Sequence, residues 1–157
     1  MPEVEIREAP FDPGAELTAF AAPGRATDAG AVVSFTGVVR GDGGLSALEI
    51  EHWPGATEEA IAGMIAEART RFALSAVRVI HRHGRMAPGE PIMMVLTAAP
   101  HRRAAFAAAE FLMDWLKSRA PFWKKEHRPD GATWVAAREE DEAALDRWAD
   151  GDIANPS

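Results

Sequence analysis

Apolar and polar positions along this chain recur with two periods, and the switches between them predict its elements. Residues 4–7, Val-Glu-Ile-Arg, alternate with period two and predict a short strand. Asp12-Pro13 opens a short helix running to about residue 22, with Asp12 as N-cap and Pro13 at the first helical position. Pro23-Gly24 ends it, and residues 25–30 are a polar loop. Residues 31–40 are rich in β-branched side chains and predict a buried strand, with Gly37 marking a bulge or a close backbone approach. The 41–44 loop, Gly-Asp-Gly-Gly, fits neither a Walker loop nor a dinucleotide fingerprint. Its plainer reading is a hairpin connection, with a phosphate cradle as the alternative, and residues 45–53 are then the returning strand.

Pro54-Gly55 turns the chain into a helix over 57–72. Ile61, Ile65, Ala68 and Phe72 recur on one face at helical spacing, with Met64 beside them. Residues 76–83 alternate as a strand that would set His81 and His83 on one face. Two such histidines could bind a metal, but no third ligand accompanies them, and solvent-facing or core histidines are the plainer reading. Residues 92–98 are almost continuously apolar and predict a central strand. Pro100 starts a second long helix over 101–118, whose middle is apolar nearly all round. That girth predicts burial in the core or at a subunit contact. Arg103, Glu110, Asp114 and Lys117 form its polar stripe, and Pro121 ends it. Residues 122–127 are extended, with Phe122, Lys124 and Glu126 on one face and Trp123, Lys125 and His127 on the other. A turn at Pro129-Asp130-Gly131, a strand over 133–137, an amphipathic helix over 139–148 and a fraying tail at 151–157 complete the pattern. Interspersed helices and strands with hairpin-like neighbours predict an α+β fold, with a mostly antiparallel sheet and two long helices, as a single domain over residues 1–150.

Composition narrows the function. The 157 residues suffice for one domain with a real core. No apolar run approaches the roughly 20 residues of a membrane helix. The acidic N-terminus lacks the basic-then-apolar pattern of a signal peptide, so the protein is expected in the cytoplasm. A net charge of −7 argues against general nucleic-acid binding. There is no cysteine, which excludes disulfides, a thiolate nucleophile, a persulfide carrier and cysteine-ligated metal sites. Residues 101–128 nevertheless hold seven Lys/Arg against three Asp/Glu, a basic island that suggests a site for a small anion.

Lysine usage singles out part of that island. The chain has three lysines, 117, 124 and 125, and fourteen arginines. Lysine is a compact charge that can take and give a proton, whereas arginine stays protonated. A helix end, a proline and an extended segment separate Lys117 from Lys124, and that geometry can turn both ammonium groups into one pocket. Close cations would then depress each other's pKa. The alternative is an Asp114–Lys117 pair at i,i+3 with Lys124 facing solvent. His101, Arg102 and Arg103 occupy the first turn of the long helix, where positive side chains oppose the helix dipole. They make sense there around a phosphate or carboxylate, or else reach away to carboxylates elsewhere. Lys117 lies roughly 24 Å from His101 along the helix at 1.5 Å per residue. Either the two ends serve different sites, or a second copy of the chain supplies one of them.

These segments carry a resemblance. Phe35-Thr36-Gly37-Val38-Val39-Arg40, Glu51-His52-Trp53-Pro54-Gly55, Val79-Ile80-His81-Arg82-His83-Gly84, His101-Arg102-Arg103-Ala104-Ala105-Phe106, the block from Leu116 to Glu126, and Trp134-Val135 resemble, in order and spacing, the large, catalytic subunit of molybdopterin synthase. The resemblance covers about residues 28–148, and its most specific part is the block from Lys117 to Glu126. It implies an α/β-hammerhead-like fold and a central homodimer. Each end of that dimer would bind a small ubiquitin-like sulfur-carrier subunit, giving a heterotetramer. The carrier's C-terminal Gly-Gly thiocarboxylate would enter a pocket and donate sulfur, twice, to cyclic pyranopterin monophosphate (precursor Z), forming molybdopterin for molybdenum cofactor biosynthesis. No metal or cofactor of the chain's own is implied, and the missing cysteine is accounted for because the sulfur belongs to the partner.

Carried over by position, Lys117 and Lys124 match essential lysines. Val38, Val39 and Arg40 match a substrate-binding strand end. His101 and Arg102 match phosphate contacts given across the dimer. Lys125 and Glu126 would complete the pocket wall, and Arg138 is a further anion-binding candidate. Trp53, where many relatives have tyrosine, and the short 41–44 loop depart from the pattern and bear on loop closure and carrier fit. Two other classes compete. One is a non-catalytic dimeric module that docks a ubiquitin-like sulfur carrier, against which the presence of both lysines speaks. The other is a Schiff-base lyase using one lysine.

Overall fold

In the computed structural model, which describes residues 1–136 and 139–149, the elements run β1 (Val4–Arg7), α1 (Pro13–Phe20), β2 (Ala31–Val38), β3 (Ala47–His52), α2 (Ala56–Arg71), β4 (Ala76–Arg82), β5 (Gly84–Met86), β6 (Pro91–Ala99), α3 (Arg102–Ser118), β7 (Phe122–Arg128), β8 (Gly131–Val135) and α4 (Glu139–Ala144), followed by a 3-10 turn at Leu145–Trp148. The expected strand residue Ala137 and the 151–157 tail lie outside the described residues. The strands form two four-stranded sheets, ordered β1-β4-β6-β2 and β5-β3-β7-β8. Only the β1–β4 pair is parallel among the described strands. The fold is α+β with two long helices, as the pattern predicts. Among the described residues no helix is long and apolar enough to cross a membrane.

Local chemistry accounts for the helices. Asp12 caps α1 by accepting from the N–H groups of Gly14, at 2.9 Å, and Ala15, at 3.3 Å, while Pro13 needs no partner at the first position. The apolar stripe of α2 is buried at Ile61, Ile65 and Ala68 and continues into Phe72. It meets Phe111 and Leu112 of α3, together with Val77, Val79 and Val95 of the first sheet. The opposite face of that sheet packs Ile80, Met94 and Leu96 against Phe11 and Phe20 beside α1. The second sheet has its own small cluster of Val39, Leu48, Ile50 and Met86.

Three expectations change. Residues 31–38 do not form a buried strand: β2 is an edge strand with Val32, Phe35 and Val38 exposed. β-branched composition reports fit to a pleated surface, not the strand's place in the sheet. Nor is the 41–44 loop a hairpin connection. The side of β2 engaged in the sheet is taken by β6, and the chain crosses to the second sheet, where β3 pairs with β5 and β7. The Gly37 bulge is present, as the register between β2 and β6 shifts between Gly37 and Val38. Finally, His81 and His83 do not share a strand face. β4 ends at Arg82, and Gly84, at φ +89°, sends the chain into β5 of the other sheet.

The buried stripe of α3 spans Ala104, Ala105, Ala108, Ala109, Phe111, Leu112 and Leu116, whereas Phe106 is 61% exposed. Leu112→Ala should cost about 2–5 kcal/mol by leaving a cavity between α2, α3 and the sheet. Asp12→Ala should cost about 1 kcal/mol through the lost cap. Urea unfolding of both variants against the parent chain tests the ranking.

Candidate active site

The reversal from α3 into β7 shapes a cavity. Lys117 lies in the last turn of α3, where the helix dipole favours a cation. The chain then bends through Ala120-Pro121, with the Phe122 N–H donating to the Ala120 carbonyl at 2.7 Å. Thr57, fully buried at the start of α2, fixes this bend. Its hydroxyl donates to the Pro121 carbonyl at 3.0 Å and accepts from the Trp53 N–H at 2.9 Å. Ser118 adds a hydroxyl donation to the Asp141 carbonyl at 2.8 Å.

From this bend β7 runs with its faces as the pattern predicts. Phe122, Lys124, Glu126 and Arg128 face a cavity of about 580 Å³, which Lys117, Val38, Val39 and Arg40 also line. The other face carries Trp123, Lys125 and His127. There the Lys125 ammonium lies 5.1 Å from the Trp134 ring centroid, and His127 pairs with Glu49 at 2.8 Å.

Six of the expected residues therefore share one cavity: Val38, Val39, Arg40, Lys117, Lys124 and Glu126. Lys125 stands on the reverse of the strand, because neighbouring residues of a strand point to opposite faces. His101 and Arg102 sit at the exposed far end of α3, His101 roughly 24 Å from Lys117 along the helix axis. Arg138 lies outside the described residues. The Asp114 alternative for Lys117 gives way to another pairing, since the Asp114 carboxylate accepts from Arg147 at 2.8 Å and from the Trp148 indole at 2.6 Å. Arg128, Ser118, Phe35 and Thr36 line the cavity without having been singled out. Arg128 was within reach of the sequence, since the period-two face of Lys124 and Glu126 extends to it once the strand is continued one residue further.

Behind Phe122 lies a neutral histidine. His81 is 4% exposed, and its ring stacks on Phe122 with centroids 3.8 Å apart and planes 16° from parallel. Its Nδ1 lies 2.8 Å from the Arg82 carbonyl, which can only accept, so Nδ1 carries the proton. Burial first, then the charges of Lys124 and Lys117, lower its pKa to about 3, against a raising contribution from the Arg82 hydrogen bond. Both ammonium groups thus act on one imidazole. His52 packs on His83 at 4.4 Å, and its pKa is lowered by burial and by His83, with Glu58 opposing. Among the described residues no group of His, Asp or Glu is placed to hold a metal.

The walls carry Arg40, Lys117, Lys124 and Arg128 against Asp42, Glu126 and Asp141; Arg40 pairs with Asp42 and Arg128 with Glu126, and the two lysines keep the balance positive, which suits an anionic substrate. Lysines fixed there can stabilise charge that develops on oxygen or sulfur and can move protons.

Comparisons with known proteins show the family to which the chain is similar. The family model described as MoaE protein matches residues 6–119. The molybdopterin synthase catalytic subunit of Cereibacter sphaeroides is 62% identical over 146 residues, which cover 92% of this chain and 99% of that protein. The protein of the same name from Mesorhizobium japonicum is 55% identical over 150 residues, with 94% and 93% covered. Among solved structures, the molybdopterin biosynthesis MoaE protein from Burkholderia ambifaria matches with a TM-score of 0.81 at 46% identity, over 96% of this chain and 99% of that one.

The lowered histidine pKa values make stability depend on pH in one direction. Below the unfolded value of 6.5 the unfolded chain takes up a proton that folded His81 does not accept until about pH 3. Stability is complete above that upper value and falls as pH drops through the window, and His52 adds the same sign. Glu90, held below the ordinary carboxylate range by the Ala87 N–H and Arg82, contributes only at lower pH. Unfolding free energy should therefore fall between about pH 6.5 and 5, and His81→Gln should flatten that fall. Urea titrations across this range check it, and an equal slope in the variant would refute the role of His81.

Proposed function

The chain belongs to the MoaE protein family, and from that premise we propose that it is the catalytic subunit of a molybdopterin synthase, a sulfur-transferring enzyme of molybdenum cofactor biosynthesis acting with a second, smaller subunit. The observation that carries this reading is the meeting of Lys117 and Lys124, two of only three lysines in the chain, in one cavity. The sulfur donor we propose is the C-terminal thiocarboxylate of a ubiquitin-like carrier whose Gly-Gly tail is slim enough to enter. The acceptor is cyclic pyranopterin monophosphate, and the setting is the cytoplasm.

Each transfer breaks a carbon–sulfur bond at the carrier's terminal carbonyl and makes one on the pterin side chain, where a carbon–oxygen bond breaks in exchange: in one transfer the oxygen leaves with the opening cyclic phosphate, in the other as water. Water supplies the oxygen that leaves the carrier as a carboxylate. One lysine polarises the carrier carbonyl. The other delivers and collects the proton as sulfur bonds form and the cyclic phosphate opens. Arg40 and the strand end at Val38 and Val39 orient the pterin, and Glu126 stands beside Lys124 on the same face of β7.

A homodimer completes the site in this reading. His101 and Arg102 cannot reach the cavity of their own chain, since α3 separates them from it. Val32 and Phe35 on the β2 edge and Phe106 on α3 leave apolar surface exposed, which a second copy would cover. The partner copy's α3 would then bring a histidine and an arginine to the substrate phosphate. Arg138 joins this proposal as an anion contact. The non-catalytic docking reading is weaker, because a docking groove has no use for two lysines in one cavity when fourteen of the chain's seventeen Lys/Arg residues are arginine.

Lys117→Ala and Lys124→Ala should each lower product formation by about 10²–10⁴-fold in an assay containing thiocarboxylated carrier and precursor Z. Carrier binding should remain. Mass spectrometry of the carrier together with dithiolene detection reads both steps. Tight carrier binding without desulfuration by the parent chain would overturn the catalytic assignment in favour of the docking module.

A further inference from the structure

Arg128 stands on the cavity wall, and its guanidinium is engaged by two backbone carbonyls and one carboxylate. Its Nη1 donates to the carbonyls of Asp42, at 2.8 Å, and Gly43, at 2.7 Å. Its Nη2 donates to Glu126. One planar guanidinium thus joins the middle of the 41–44 loop to β7, the strand that carries Lys124, across more than eighty residues of sequence.

The loop is built to accept this. Gly43 has φ +59°, and a Cβ there would stand 2.6 Å from Arg128 Nη1. Both loop ends are held separately. The Val39 N–H donates to the Glu90 carbonyl at 2.9 Å, a Cβ at Gly41 would stand 2.7 Å from Pro88, and the Ser46 N–H donates to the His127 carbonyl at 2.8 Å. Between these anchors Arg128 is the side chain that grips the loop's carbonyls. The loop in turn bears on Arg40, which lines the cavity with a side chain 67% exposed and whose Nε lies 3.4 Å from the Asp42 carboxylate.

We propose that Arg128 is a positioning residue that clips the 41–44 loop to β7 and so sets where Arg40 stands at the mouth of the lysine cavity. The inference rests on the reading of that cavity as a site for an anionic substrate. Arginine is needed rather than charge alone. Its fork serves two carbonyls and a carboxylate at once, whereas a lysine ammonium concentrates its donors at one point. The consequence is separable from chemistry. Loss of the clip frees Arg40 and weakens capture of the substrate anion, while Lys117 and Lys124 keep their places.

The Arg40–Gly41 bond is a trypsin site inside the clipped segment, and its cleavage reads the clip without any activity. Arg128 precedes Pro129, so replacing it removes no bond that trypsin cuts. Arg128→Ala and Arg128→Lys should both release the 1–40 fragment roughly tenfold faster than the parent chain, the loss expected for a charged hydrogen-bond network. Gly43→Ala, which pushes the guanidinium off from the loop side, should do the same. The double variant Arg128→Ala/Gly43→Ala should add little to either single one. In the sulfur-transfer assay the KM for precursor Z should rise roughly tenfold in Arg128→Lys, with kcat within about twofold of the parent. Unchanged cleavage in Arg128→Ala, or complete rescue by Arg128→Lys, overturns the proposal. So does a fall in kcat at constant KM. A parent chain without sulfur transfer would refute the proposed function, and the proteolysis would still decide the clip.

Discussion

A single buried hydroxyl sits at the point on which the cavity depends. Thr57 bonds at once to the chain entering α2 and to the carbonyl of Pro121, where α3 turns into β7. A proline there forbids the helix to continue, and a half-buried carbonyl without a partner would be costly, so the hydroxyl makes the reversal stable as well as sharp. Because the helix stops at Ser118 and the strand begins at Phe122, Lys117 and Lys124 end up lining one cavity. The site is thus held by a scaffold of α2, α3 and the second sheet, not by the mobility of a loop.

The two sheets divide the work. The first sheet, covered by α2 and α3 on one face and α1 on the other, contains the larger core clusters. The second sheet has a modest cluster of its own and supplies the alternating face of β7. The cavity lies where they meet, at the β2 end of the first and along β7 of the second. His81 lies at the same junction. It belongs to the first sheet, stacks on Phe122 of the second, and stays neutral while two ammonium groups stand nearby. A cation in its place would put a further positive charge at a buried position beside two lysines, which burial and the lysines both oppose.

Arginine and lysine are used for different purposes in this chain. Arg78 and Arg82 are buried and tied to carboxylates and backbone carbonyls, so they act as structural crosslinks. Arg147 and Arg71 bind the last turn of the described chain to α3 and α2. Arg128 does the same for the 41–44 loop. Lysines 117 and 124 occupy the cavity itself, where a proton has to move in the proposed reaction. A forked, permanently charged group suits the first role and a compact group that exchanges protons suits the second.

What depended on neighbours along the chain was legible in the residues alone. The Asp12 cap, the buried stripe of α2, the bulge at Gly37 and the period-two face of Lys124 and Glu126 all follow from spacing, because a helix or strand repeats every few residues whatever surrounds it. The family resemblance rested on the same kind of local blocks, and the lysines were conspicuous by their scarcity. What depended on partners far away was not legible. Residues 31–38 and 47–52 looked like a hairpin, yet each found its partner elsewhere, since composition carries no record of which strand lies alongside. The separation of His81 from His83 hung on one glycine that changes sheets. The grip of Arg128 on two loop carbonyls was hidden because backbone acceptors are the same at every residue. The sequence by itself determined the elements, their faces and the residues able to do chemistry. Only the tertiary structure decided which faces met, because hydrogen bonds between strands and to carbonyls are made by the backbone, and the backbone does not vary with sequence.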